Sequence, residues 1–196
     1  MTVEAGRTGL ARTAEQELVV LCDERGRPTG SAEKSSTHHA DTPLHLAFSC
    51  YIFDDRGRFL TSRRALTKKV WPGVWSNSAC GHPMPGESFE EAIVRRVGYE
   101  LGMTVRDVEV VLPQHLYRAP PFAGIVEYEF CPVFVARQRS APEPNPIEVA
   151  ACAWMQWQEF VRRAREDVHD VWSWWCKDQL RELHGRALIE RYSRPE

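Results

Sequence analysis

Glu127 and Glu129 lie two residues apart in IVEYEFCPVFVA (residues 125–136), an otherwise β-branched and aromatic segment. On an extended chain alternate side chains point the same way, so both carboxylates share a face with Cys131 and Val133. If that face is inward, two like charges are costly unless a cation or a shared proton offsets them, and a metal site or acid/base chemistry becomes the natural explanation. The alternative is a solvated outer face, where Glu is ordinarily found. Three histidines add to the first reading. His38 and His45 flank the start of a strand, and His82 follows Cys80 by two residues in SNSACGHP. Three imidazoles and two carboxylates offer five N/O ligands, a set suited to an octahedral divalent ion such as Mn or Mg, with Zn as the other candidate. His39, His115, His169 and His184 have no such company and are read as structural or exposed.

These residues need a scaffold, and the composition allows an ordinary one. The chain has 196 residues, 43% hydrophobic and 27% charged, with 25 Lys+Arg against 27 Asp+Glu and a net charge of -2. That predicts a single globular domain and excludes disorder. A near-zero charge also argues against a protein built to coat nucleic acid or anionic membrane. No apolar run approaches the ~18 residues of a membrane span, and residues 1–15 lack a secretory apolar stretch, so a cytoplasmic location is expected. Cys22, Cys50, Cys80, Cys131, Cys152 and Cys176 contain no CxxC pair, and most are expected as buried, inert thiols.

Residues 1–16 read as a flexible tail, 17–191 as the folded domain and 192–196 as a second tail. LVVLC (18–22) is a strand entering the turn DERGRPTG, 33–41 is a polar loop, and PLHLAFSCYIF (43–53) is one strand whose hairpin partner is 58–64. Phe89, Ile93, Val97 and Leu101 recur every four residues, predicting a helix over 88–101, with Ser88 and Glu91 as a capping box and Gly102 as its stop. Residues 125–136 form a long strand, 148–155 another, and helical segments at 159–165 and 173–191 complete the chain.

Gly81, Glu87, Arg95, Glu100 and Gly102 follow most of the pattern G-x5-E-x7-R-E-U-x-E-E-x-G-U, where U is bulky and apolar. This resembles the Nudix box, with Arg96 and Tyr99 in place of two of its Glu residues. Nudix hydrolases use that acidic cluster to hold the magnesium that activates water, so these two departures point to binding a diphosphate and leaving it intact. With EKSSTHHADTPLHLAFS, TSRRALTKKVWPGVWSNSACGHP, RRVGYELG and GIVEYEFCPVF in the same order, the chain resembles the type I isopentenyl-diphosphate isomerases over about residues 17–175.

The resemblance implies an α+β Nudix fold, a mixed β-sheet sandwiched between α-helices. It implies a 1,3-allylic proton shift between isopentenyl and dimethylallyl diphosphate, with Cys80 and Glu129 as catalytic groups on opposite faces of the double bond and Tyr117 hydrogen-bonded to the carboxyl. His38, His45, His82, Glu127 and Glu129 would hold Mn, Mg or Zn, and Glu100 a Mg ion bridging to the diphosphate. Lys34, Arg64, Lys68 and Arg96 would neutralise the diphosphate, while Arg63 and Lys69 are read as solvated. Trp175 would face the carbocation-like species, with Trp172 or Trp174 as alternatives in the same SWW-containing stretch. No flavin, nucleic acid or membrane is implied, and protein partners are left open. Two other readings stay open: a Nudix hydrolase, and a non-catalytic Nudix module that binds through its Trp-rich C-terminal region.

Overall fold

A computed structural model of the chain describes residues 17–196, so the tail expected at 1–16 lies outside the described residues. The elements in order are β1 (Leu18–Cys22), β2 (Pro28–Glu33), α1 (Lys34–Thr37), β3 (His45–Leu46), β4 (Phe48–Phe53), β5 (Arg58–Arg64), β6 (Trp75–Ser76) and β7 (Ala79–Gly81). They continue with α2 (Phe89–Leu101), β8 (Val105–Leu112), β9 (Leu116–Arg118), β10 (Tyr128–Phe130), β11 (Val133–Gln138), β12 (Val149–Gln156), α3 (Trp157–Arg165), α4 (Trp174–Leu183) and α5 (Ala187–Tyr192). One sheet runs β2-β1-β3-β10-β9; a larger one runs β12-β5-β4-β11-β8, with β6 on β5 and β7 on β4.

Two segments expected as single strands are each divided between the sheets. Residues 43–53 contain β3 and β4, and 125–136 contains β10 and most of β11. Pro132 lacks an N–H and so interrupts the ladder. The two segments run parallel in both sheets, β3 with β10 and β4 with β11. At the break Ala47 N donates to Phe130 O (2.9 Å) and Ser49 N to Pro132 O (3.2 Å). Both chains therefore step from one sheet to the other side by side, leaving a seam between the sheets.

The larger sheet is covered on both faces. Every residue of β4 is buried. Tyr51 and Phe53 pack with Trp157, Phe160, Leu180, Leu183 and Ile189 of α3, α4 and α5, whereas Phe48, Cys50 and Ile52 pack with Ile93, Val97 and Leu101 of α2. This is the period-2 alternation of a strand buried on both sides, and each such side chain contributes about 1.5–3 kcal/mol. The layers match the expected helix-flanked mixed sheet, with the smaller sheet as an addition.

Several local expectations need correction. Residues 28–33 pair with β1 as a strand instead of completing a turn. The polar loop at 33–41 contains the single turn α1, and 173–191 is interrupted at Gly185, whose φ of +79° ends the helical path. Residues 192–196, expected as a tail, lie against the sheet: Tyr192 is buried, and Glu196 pairs with Arg106 at 2.6 Å. Among the described residues no helix is long and apolar enough to cross a membrane.

The capping box of α2 is formed as expected, with Ser88 Oγ accepting from Glu91 N and the Glu91 carboxylate accepting from Ser88 N. Its C-cap Gly102 sits at φ +60°, and a Cβ there would lie 2.5 Å from the Glu143 carbonyl oxygen. Gly102→Ala is expected to cost ~1–3 kcal/mol, lowering Tm by roughly 3–10 °C in thermal unfolding followed by circular dichroism. An unchanged Tm would mean that the 102/143 contact yields without cost.

Candidate active site and metal centre

Three of the candidate site residues stand in one row across the smaller sheet. Glu129 on β10 is directly opposite Tyr117 on β9 and His45 on β3. Directly paired residues project to the same face, so register alone brings phenol, carboxylate and imidazole together. The Tyr117 hydroxyl donates to Glu129 Oε2 at 2.6 Å. The other oxygen, Oε1, lies 3.2 Å from His82 Nε2 and 3.7 Å from His45 Nε2. Burial, reinforced by the adjacent Glu129, pushes the Tyr117 phenol well above its ordinary pKa, so it stays protonated. The outer-face alternative for the carboxylate pair does not hold, since Glu129 is buried and the Glu127 side chain is only 14% exposed.

Two of the three imidazoles, His38 and His45, are aimed by backbone carbonyls. His45 Nδ1 lies 2.9 Å from Pro43 O and His38 Nδ1 3.1 Å from Lys34 O. Each carbonyl is an acceptor, so each Nδ1 carries a proton and Nε2 is the nitrogen turned toward the cluster, the orientation of a metal ligand. His45 Nε2 and His82 Nε2 are 3.3 Å apart, and His38 Nε2 is 3.5 Å from Glu127 Oε2. Ligand atoms from His38, His45, His82, Glu127 and Glu129 all lie within 4.8 Å of one another. Burial holds His82 in its neutral form, its pKa well below the ordinary value; burial also pulls His38 down, but Glu127 outweighs it and leaves His38 raised. Converging imidazole nitrogens and carboxylate oxygens fit a divalent cation, and the cluster has the five N/O ligands expected of one.

Cys80 approaches from the larger sheet, where β7 pairs with β4 and sets Cys80 opposite Ser49. Its Sγ donates to Asn77 Oδ1 at 3.1 Å and lies 3.4 Å from Ser49 Oγ. Burial pushes the thiol up to about 12, so it is protonated at neutral pH. Asn77 Oδ1 also accepts from the indole N–H of Trp175 at 3.2 Å, which joins Trp175 to Cys80 through one shared acceptor. Trp174 instead lies beside Tyr117, with ring centroids 5.7 Å apart, and Trp172 packs on Phe160 and Trp75. Trp71 meets Trp175 edge-on at 5.6 Å and lines the same wall.

The basic residues divide into two groups. Lys34, Lys68 and Arg96 belong to one network of ion pairs: Lys34 with Glu17 at 2.6 Å, Lys68 with Glu148, and Arg96 with Glu100 at 2.5 Å. Both Arg96 bonds to Glu100 go to Oε1, so Oε2 is not engaged by it. Burial lifts the Glu100 carboxyl above its ordinary range against the opposing pull of Arg96. Gly81 makes this possible, since a Cβ there would sit 2.9 Å from Arg96 Cγ. Arg64 stands apart: it donates to Trp71 O (3.2 Å) and Val70 O (3.0 Å), and its guanidinium carbon is 5.5 Å from the Trp175 ring. Arg63, read as solvated, is exposed but caps Gly73 O at 2.8 Å. His115, read as structural or exposed, is buried with Nδ1 2.9 Å from Glu182. Asn77, Glu17 and Glu148 are additions to the expected set. Asn77 carries a sequence signal, a polar run buried between apolar strands, whereas Glu17 and Glu148 carry none.

A NUDIX domain family model matches residues 43–176. The fold agrees: a Deinococcus radiodurans crystal structure superposes with a TM-score of 0.65 at 18% identity, covering 86% of this chain and 99% of that one. A MutT NUDIX hydrolase from Burkholderia pseudomallei superposes at 0.54 and 20% identity, covering 71% and 98%. At such identities the likeness concerns fold alone. Sequence narrows it further. The chain is 50% identical to the isopentenyl-diphosphate Delta-isomerase of Saccharopolyspora erythraea, over 85% of this chain and 86% of that one, and 50% identical to that of Kocuria rhizophila, over 92% and 99%. The Salmonella arizonae isomerase matches at 44% over 91% and 97%. The chain belongs to the isopentenyl-diphosphate Delta-isomerase family within the Nudix class.

Proposed function

We propose that the chain interconverts isopentenyl diphosphate and dimethylallyl diphosphate by a 1,3-allylic proton shift, with Cys80 and Glu129 as the two proton-transfer groups. The observation that carries this reading is the convergence on one seam of a protonated thiol and a buried carboxylate that accepts from a phenol. Protonating an unactivated alkene needs a positioned acid, and the resulting cationic carbon needs a base on the far side and shelter from water. In this arrangement the Cys80 thiol would give its proton to one end of the allylic system while the Glu129 carboxylate takes one from the other end, and the reverse reaction restores both groups; Tyr117 orients Glu129 through its hydroxyl. Asn77 and Ser49 hold Cys80 in place, and Trp71 and Trp175 supply an apolar wall whose π-face stabilises developing positive charge by ~1–2 kcal/mol.

His38, His45, His82, Glu127 and Glu129 would hold a Mn, Mg or Zn ion, whose positive charge would set the proton affinity of Glu129. Glu100 would hold a Mg ion shared with the diphosphate, beside Lys34, Lys68 and Arg96. Arg64 would act from the Trp175 side, shaping the loop 64–71 and facing the pocket wall. The reading makes the chain a small-molecule enzyme with no flavin, and a cytoplasmic location belongs to the same proposal.

Product identity tests it. Incubation with isopentenyl diphosphate should yield an equilibrium mixture of the two isomers with the diphosphate intact; phosphate or pyrophosphate released in step with substrate loss would establish a hydrolase. In the same assay Arg96→Ala should raise KM and lower kcat/KM by roughly ten- to a hundredfold, the loss of a charge-assisted contact, without creating hydrolysis. Glu100→Gln should reduce magnesium-dependent binding and turnover together.

A further inference from the structure

Lys34, Lys68 and Arg96 come from three separate elements, and each is already paired with a carboxylate. Glu17, just before β1, reaches Lys34 at 2.6 Å and Arg96 at 3.5 Å. Glu148, just before β12, bonds Lys68 and lies 3.5 Å from Arg96 through the same oxygen, Oε2. Glu100 takes the remaining bonds of Arg96. Three cations and three carboxylates leave the network with no net charge. The chemistry proposed above uses Glu100 but has no task for Glu17 or Glu148. Burial alone would lift both of their carboxyls. Lys34 and Arg96 beside Glu17, and Lys68 and Arg96 beside Glu148, outweigh burial and hold both below the ordinary carboxylate range. A small cavity lined by Glu17, Lys34, His82, Arg95 and Arg96 joins this network to the histidine cluster.

A diphosphate ester carries two to three negative charges at neutral pH. A site with three unpaired cations would take it as the free anion. A site whose cations are already neutralised gains little Coulomb energy from the free anion and repels it through its carboxylates, whereas a chelate with a divalent cation arrives with most of its charge cancelled. The side chains of Arg96, Glu100 and Glu148 are only 10%, 10% and 14% exposed, so water screens these interactions less than at the surface.

We propose that Glu17 and Glu148 are specificity-determining counterions: by keeping the Lys34–Lys68–Arg96 network neutral, they make it accept a diphosphate as its divalent-cation chelate and discriminate against the free anion. The inference rests on the diphosphate placement in the preceding subsection. Glu148 has the larger share because it is more buried than Glu17, whose side chain is 33% exposed. Both residues act through the cations they pair with.

Isothermal titration of the metal-loaded protein with inorganic pyrophosphate, with and without added magnesium, tests this, with elemental analysis after each titration to check that the histidine-bound metal is retained. Glu148→Gln keeps the shape and removes one charge. It should tighten magnesium-free binding by about tenfold while changing binding in saturating magnesium less than about threefold, so that the magnesium dependence collapses. Glu17→Gln should shift it the same way by a smaller factor. If both Gln variants, with wild-type Tm, bind magnesium-free pyrophosphate no more tightly than wild type, the counterion role is overturned. Lys68→Ala separates the two levels. It should weaken pyrophosphate about tenfold in both conditions; if it does so while the Gln variants behave as wild type, only the counterion role falls. If Lys68→Ala leaves binding unchanged, the diphosphate placement falls and the counterion role falls with it.

Discussion

Cys80→Ala is expected to lower kcat by roughly 10²- to 10⁴-fold, the range for removing a positioned proton-transfer group, in a protein that still folds. The Sγ bond to Asn77 is the principal stabilising interaction that the substitution removes, worth about 1 kcal/mol, or ~2–4 °C in Tm for a chain of this size. Cys80→Ser should keep that bond and remain inactive near neutral pH, because in the same surroundings an alcohol is a far weaker acid than a thiol. Glu129→Gln preserves shape and removes the carboxylate that Tyr117 addresses, with a loss of similar size expected. Turnover of isopentenyl diphosphate at saturating substrate, read beside circular dichroism, decides the matter. A folded Cys80→Ala or Glu129→Gln protein with kcat within about tenfold of wild type would remove that residue from the chemistry.

His45→Ala should empty the metal centre. His45 is completely buried, its Nδ1 is held by Pro43 O, and its Nε2 lies 3.3 Å from His82 Nε2, so no neighbouring side chain can take its position without moving a strand. Elemental analysis should show about one ion per wild-type chain at the histidine cluster and far less in His45→Ala and Glu127→Gln. Activity should fall in parallel, by about a hundredfold or more. Thermal stability gives an independent readout. A metal present at a hundred times its Kd adds about 2.7 kcal/mol to the wild type, whereas the variants should show little rise in Tm on metal addition. A fully active variant lacking the ion would make the cluster structural.

Much of the larger sheet was legible because its signals are local. The four-residue recurrence of Phe89, Ile93, Val97 and Leu101 and the Ser88/Glu91 box define α2, and the turn DDRG defines the β4–β5 hairpin. The carboxylate pair was legible as an anomaly, two charges on an apolar strand. The division of that strand was less visible, since IVEYEFCPVFVA reads as one apolar run; Pro132 was the clue, and its effect depends on β3 and β4 breaking beside it. β8 escaped because Arg106, Asp107 and Glu109 interrupt its apolar pattern and Asp107 takes φ +51°, an irregularity tolerated on a strand paired along one side only. The roles of Glu17 and Glu148 could not be read at all. Their partners lie in distant parts of the chain, and no spacing rule connects them.

The seam between the sheets also sets the order in which competence is gained as the chain folds. His45 and Glu129 are neighbours across a parallel pair although about eighty residues separate them, and Cys80 reaches them from a third segment registered on β4. Parallel pairing over such separations pays its loop-closure entropy before any contact rewards it, and such contacts form slowly. A chain in which α2 and the β4–β5 hairpin have already formed still lacks a metal site. Uptake of an ion during refolding is therefore expected to report the closing of this one long-range junction.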